Sequence, residues 1–88
     1  MVTKIYRLKE ILPIRGVSRS SHYLELRRGL WTKPIHLSLR SRGWPAYEVE
    51  ALIEARIAGE TDEGIRTLVE KLEGSRGNVK AVISGAAR

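Results

Sequence analysis

Between Ser18 and Arg28 the chain reads SRSSHYLELRR, a run in which guanidinium, hydroxyl and phenol groups recur within three helical turns. Guanidinium groups make paired hydrogen bonds to guanine edges or to phosphate, and serine hydroxyls and helix N-termini also bind phosphate. The chemistry on offer is therefore recognition of a polyanion, and it competes with a plain alternative, a solvated amphipathic helix with no role beyond packing. Catalysis has little to draw on. His22 and His36 fall on different elements, and there is no cysteine nucleophile, no HExxH pair and no glycine-rich phosphate loop. Neither a catalytic site, a metal site nor a cofactor is expected.

Projected at 100° per residue, Arg19, Ser20, Tyr23 and Arg27 share one side of this segment. His22 and Leu26 fall on a neighbouring stripe, with Ser18 and Glu25 at its margin, and that stripe is expected to face the preceding helix. Leu24 lies with Arg28 on the far side, where the following loop is expected to cover it. Ser18 stands where an N-cap belongs, and no proline or glycine interrupts the run before Gly29, so a helix is expected from Arg19 to Arg28.

The element before it is constrained by Pro13, which is tolerated only within a first turn. A short helix is expected from about Lys9 to Arg15, closed by Gly16 in a left-handed conformation. Ahead of it, Lys4-Ile5-Tyr6-Arg7 alternates as a short edge strand does. Two helices separated by a glycine turn have the spacing of a helix-turn-helix, a spacing shared by many plain bundles.

After Gly29 the stretch Leu30 to Trp44 reads as a hairpin. Ile35 and Leu37 point to one face, His36 and Ser38 to the other, and the tip near Ser38 to Arg42 carries Arg40 and Arg42. A basic hairpin directly after a candidate recognition helix is a wing, and wings commonly place arginine in the minor groove. Lys33 leads into it. Trp31 and Trp44 are expected as core anchors rather than base-stacking platforms, because this core has few other large residues.

From Pro45 the pattern is helical. Val49, Leu52, Ile53 and Ile57 form an apolar stripe, with Glu48, Glu50, Glu54 and Arg56 on the remaining, solvated surface. Gly59 ends this helix, and Thr61 caps the next, whose stripe is Ile65, Leu68, Val69 and Leu72. Gly74 is expected to stop it. The remainder is expected as a flexible tail free for a partner, in which Val79 to Ile83 could add as a strand to another chain.

The charge is asymmetric. Residues 1–44 carry ten basic and two acidic side chains, whereas residues 45–88 carry six basic and eight acidic ones, within an overall net charge of +6. So basic a first half favours polyanions, nucleic acid or an anionic membrane surface. The apolar runs are far too short to span a membrane, and the N-terminus lacks the apolar block of a signal peptide, so a cytoplasmic location is expected. With 88 residues and no cysteine, one small domain held by packing alone is expected.

Taken in order, "RLKEIL", "GVSRSSHY", "RRGLWTKPIHL", "RSRGWP" and "EVEALIEARIAG" resemble the AlpA-like phage regulators and excisionases. The resemblance covers roughly residues 5–59, and "TDEGIRTLVEKL" looks like the extension of a subgroup. It implies a mainly α fold with a small β hairpin, a winged helix-turn-helix similar to the DNA-binding domain of MerR-type regulators. In that fold Ser18, Arg19, Ser20, Tyr23 and Arg27 match the major-groove helix and Arg40 the basic wing. Arg28, Lys33 and Arg42 complete the candidate DNA contacts. His22 stands where many members have an aliphatic residue, Ser38 where they have glycine, and Arg42 where they are often apolar. Glu25, if it lies near DNA, would weaken or filter binding.

The expected organisation is a DNA-binding domain over residues 1–60, a helix over 61–73 packed on it, and a tail over 74–88. The expected function is sequence-specific, non-enzymatic binding of double-stranded DNA on the nucleoid or phage genome. It serves prophage or mobile-element control as transcriptional regulator, as excisionase, or as both. A tyrosine-family integrase, RNA polymerase and further copies bound cooperatively are the candidate protein partners. The rival is a small protein-binding adaptor, an antirepressor or integrase-recruiting factor. RNA is disfavoured, since no aromatic platform on a sheet is evident.

Overall fold

The structure, a computed structural model, describes the backbone of residues 4–87 and the side chains of residues 4–76. The element order is β1 (Ile5–Tyr6), α1 (Leu8–Arg15), α2 (Arg19–Arg27), β2 (Ile35–His36), β3 (Arg42–Pro45), α3 (Ala46–Ile57) and α4 (Asp62–Ala87). The fold is mainly helical, with a small antiparallel sheet of strand order β1-β3-β2.

Local chemistry sets the first half. Glu10 turns back to accept the Arg7 N–H at 2.8 Å, satisfying a donor at the start of α1. The helix begins one residue earlier than expected, so that Pro13 lies in its second turn and not in the first as expected, and it ends at Gly16, whose φ of 69° is the left-handed conformation anticipated there. Ser18 caps α2, its hydroxyl accepting from the Ser21 N–H at 3.1 Å. β1 pairs with β3 (Ile5 opposite Pro45, Tyr6 opposite Trp44), and β2 pairs with the other edge of β3 (Ile35 opposite Gly43, His36 opposite Arg42). The N-terminal strand also serves the next element, because the Lys4 carbonyl accepts the Ala46 N–H at 2.7 Å and so satisfies an open donor of α3.

Ile11, Leu30, Trp31, Trp44, Val49, Leu52, Ile65 and Val69 form one buried core. Both tryptophans are anchors within it, as the small number of other large core residues suggested, and the Trp44 indole donates to the Thr32 carbonyl at 2.7 Å. Ile65 and Val69 bring α4 against α3, with Leu68 and Leu72 half-buried beside them. Thr61 caps α4 by accepting the Gly64 N–H at 3.1 Å.

Several expectations are corrected. Gly74 does not stop α4. The helix continues to Ala87, because Gly74 lacks the positive φ of a helix-ending glycine and Arg76, two residues on, is anchored to the domain. The segment from residue 74 is thus helical as far as Ala87, Val79 to Ile83 included, and Arg88 lies outside the described residues. Glu48 is not on a solvated face but fully buried, and Ile57, assigned to the apolar stripe, is 80% exposed at the last residue of α3. Leu24 is uncovered, and Leu37 lies in the exposed turn of the hairpin rather than in a half-buried strand.

Candidate nucleic-acid interface

α2 is held from behind by a polar and aromatic cluster. His22, with no exposed surface, sets its ring edge-on to Trp31 and Trp44 at centroid separations of 5.9 and 5.2 Å. Its Nδ1 accepts a 2.8 Å hydrogen bond from Arg15 on α1, so the neutral ring carries its proton on Nε2. Burial first, and then the positive Arg15, lower the His22 pKa to about 4, with Glu25 opposing. The Arg15 guanidinium stacks over Trp31 at 4.0 Å and pairs with Glu25, which offsets part of the lowering of its own pKa by burial. The inward stripe of His22 and Leu26 is thus the one expected from helical spacing. Glu25 is tied to Arg15 instead of standing as a free anion.

With that face inward, Ser18, Arg19, Ser20, Tyr23, Arg27 and Arg28 are all exposed. Tyr23 has 42% of its surface free. Among the described residues, no ion pair engages Arg19, Arg27 or Arg28, so the guanidinium groups of this face are open to a ligand. Lys33, Arg40 and Arg42 are exposed as well, the latter two on the β2–β3 hairpin. Its turn is closed by Leu37 N–H to Ser41 carbonyl at 2.8 Å, and Leu39 stands 96% exposed at the tip.

The link from α2 to the hairpin is braced by α4. Arg66 donates to the Arg28 carbonyl at 2.9 Å, Glu73 accepts the Lys33 N–H at 2.9 Å, and Arg76 donates to the Lys33 carbonyl at 2.6 Å. Two of the expected contact residues, Arg28 and Lys33, are therefore positioned through their backbone by a helix that carries none of the expected contacts. Gly29, with φ of 77°, makes the turn between them.

Sequence reasoning missed a second cationic feature. A groove of about 500 Å³ between the start of α1 and the hairpin is lined by Arg7, Leu8, Lys9, Arg40 and Arg42. The density of basic residues in the first half was its sole signal, since nothing in the spacing of Arg7 and Lys9 places them beside residues over thirty positions away. A separate, mostly apolar groove of about 390 Å³ is lined by Ile14, Arg15, Val17, Glu25, Trp31, Ile53, Arg56 and Ile57. Among the described residues there is no cluster of His, Cys, Asp and Glu able to hold a metal ion, and no helix long and apolar enough to cross a membrane.

No curated protein and no solved structure matches the chain. The family model described as Prophage CP4-57 regulatory protein (AlpA) matches residues 4–57, from the residue before β1 to the last residue of α3. That match spans more than half of the chain and carries both the exposed α2 face and the basic hairpin, and the protein belongs to the AlpA family of prophage regulatory proteins.

Proposed function

We propose that this protein is a sequence-specific DNA-binding regulator of prophage or mobile-element genes, acting on the genome as a transcriptional regulator, an excisionase, or both. In this reading residues 1–60 are a winged helix-turn-helix. α2 enters the major groove with Ser18, Arg19, Ser20, Tyr23, Arg27 and Arg28, and the hairpin approaches the minor groove with Lys33, Arg40 and Arg42. The observation that carries it is the two-sidedness of α2: His22 and Leu26 are turned to the core, while the guanidinium groups of Arg19, Arg27 and Arg28, which make no ion pair among the described residues, face solvent beside a basic hairpin. Exposed guanidinium groups on α2 next to those of the hairpin suit a polyanion.

Footprinting on the DNA of its own element tests the proposal. A protected site over a promoter supports transcriptional control, and one beside an integrase attachment core supports excision. In the second case a tyrosine-family integrase or a neighbouring copy would be the protein partner, and in the first RNA polymerase. Equal or tighter binding to single-stranded RNA than to duplex DNA overturns the reading.

The apolar groove between α1, α2 and α3 favours a second reading, a protein-binding adaptor such as an antirepressor or integrase-recruiting factor. Ile57 and Ile14, 80% and 46% exposed, would supply its contact. An Ile57→Lys variant that keeps DNA affinity but loses the biological response would favour it.

A further inference from the structure

The groove between α1 and the hairpin brings four cations together with no carboxylate among its described lining residues. The closest acidic residue in sequence, Glu10, is occupied with the Arg7 N–H. Arg7 is steered toward the hairpin by a 3.1 Å bond from its Nη2 to the Ser41 hydroxyl, an oxygen that leaves most of the guanidinium's donors free. Lys9, Arg40 and Arg42 are exposed and make no side-chain hydrogen bond or ion pair among the described residues. Like charges gathered in this way repel one another, and a fold that holds them together without an internal counter-charge gains most from an external anion.

The shape narrows the anion. The groove is open to solvent and about 500 Å³, room for more than one small ion, and Leu8 gives its wall an apolar face suited to a sugar ring. An open groove lined by four basic side chains suits successive phosphates of a polymer backbone, where a single free anion would leave most of the charge unmatched. Arg40 and Arg42 belong both to this groove and to the hairpin, so whatever occupies it lies next to whatever the hairpin touches.

We propose that this groove is a backbone clamp for duplex DNA, in which Arg7 and Lys9 join Arg40 and Arg42 on the sugar–phosphate strand bordering the groove that the hairpin enters. Arg7 and Lys9 thereby become DNA contacts on an element, α1, outside the recognition helix. The clamp rests on the DNA-binding reading given above. It reads no sequence, and it fixes the angle at which the hairpin meets the duplex.

The test is fluorescence anisotropy of the full chain on a duplex carrying its footprinted site and on a scrambled duplex, each over a salt series. Lys9→Ala is the cleanest variant, since its side chain holds nothing in the fold, and Arg7→Ala is its companion, checked for folding by circular dichroism. Each is expected to weaken both duplexes alike and to reduce the log–log salt slope by about 0.9 for every phosphate no longer neutralised. Lys9→Glu is expected to weaken binding further. If Lys9→Ala and Lys9→Glu bind with the wild-type affinity and slope while Arg27→Ala does not, the clamp is wrong and the DNA-binding reading stands. If the wild-type chain binds no duplex, both fall. If inorganic phosphate raises the wild-type melting temperature, Lys9→Glu abolishes that gain, and the DNA slope is unmoved, the groove is a small-anion site and the clamp is overturned.

Discussion

Arg76 closes its guanidinium on the carboxylate of Glu48 through two hydrogen bonds, Nε to Oε2 at 2.7 Å and Nη2 to Oε1 at 2.6 Å, and Glu48 has no exposed surface at all. The pair joins α4 to α3, and Arg76 also reaches the Lys33 carbonyl on the approach to the hairpin. Removing one partner of a buried ion pair leaves the other uncompensated, at a cost of about 3–5 kcal/mol. Arg76→Ala is therefore expected to destabilise the fold by that order in urea titrations, and Arg76→Ala combined with Glu48→Gln to recover part of the loss. Truncation after Ser75 should unfold at least as readily as Arg76→Ala. A truncated chain that melts like the full one would remove the pair from any role in stability.

His22 makes stability depend on acidity. Its folded pKa of about 4 lies below the ordinary 6.5, so between those values the unfolded chain takes up a proton that the folded chain refuses. This contribution is fully present above about pH 6.5, is lost as pH falls toward 4, and totals on the order of 3 kcal/mol. Melting temperature measured across this window should fall with pH more steeply in the wild type than in His22→Leu. Parallel curves for the two proteins would show that the imidazole does not govern the acid limb.

Gly43 has no room for a side chain. A Cβ there would lie 2.5 Å from Ile5 Cγ2 and 2.9 Å from the Tyr6 carbonyl oxygen. The oxygen is backbone, so β1 and β3 would have to part. Gly43→Ala is expected to cost about 1–3 kcal/mol, as overpacking does elsewhere, and to lower DNA affinity through a displaced hairpin. Chemical denaturation checks the first effect and a gel-shift titration the second.

Helix and hairpin should fail in different ways. Arg27→Ala or Tyr23→Ala is expected to reduce discrimination between cognate and scrambled duplex by about 1–3 kcal/mol if the side chain reaches a base edge. Arg40→Ala should weaken both duplexes evenly. Identical profiles for the two sets would erase the proposed division between base reading and anchoring.

Much of this arrangement was legible where the controlling interactions are local. Gly16, Ser18, Gly59 and Thr61 mark helix ends through bonds or dihedral angles within a few residues, and the inward turn of His22 follows from helical spacing. Glu48 was illegible because its environment is decided by Arg76, twenty-eight residues later. Gly74 misled for a related reason. A glycine inside a helix costs only about 1 kcal/mol relative to alanine, and the anchoring of Arg76 outweighs it. The same limit hid the α1 groove, since Arg7 and Lys9 meet Arg40 and Arg42 only after the chain has returned on itself.

The strand order β1-β3-β2 has a consequence for how the domain assembles. β2 and β3 are neighbours in sequence and can zip within microseconds, whereas β1 must find β3 across a loop of roughly forty residues, a closure opposed by chain entropy. The hairpin and the two short helices are then expected to form before the docking of Ile5 and Tyr6, which closes the sheet. In kinetic terms, substitutions at Ile5 should speed unfolding and leave the folding rate nearly untouched, while those at Ile35 should slow folding.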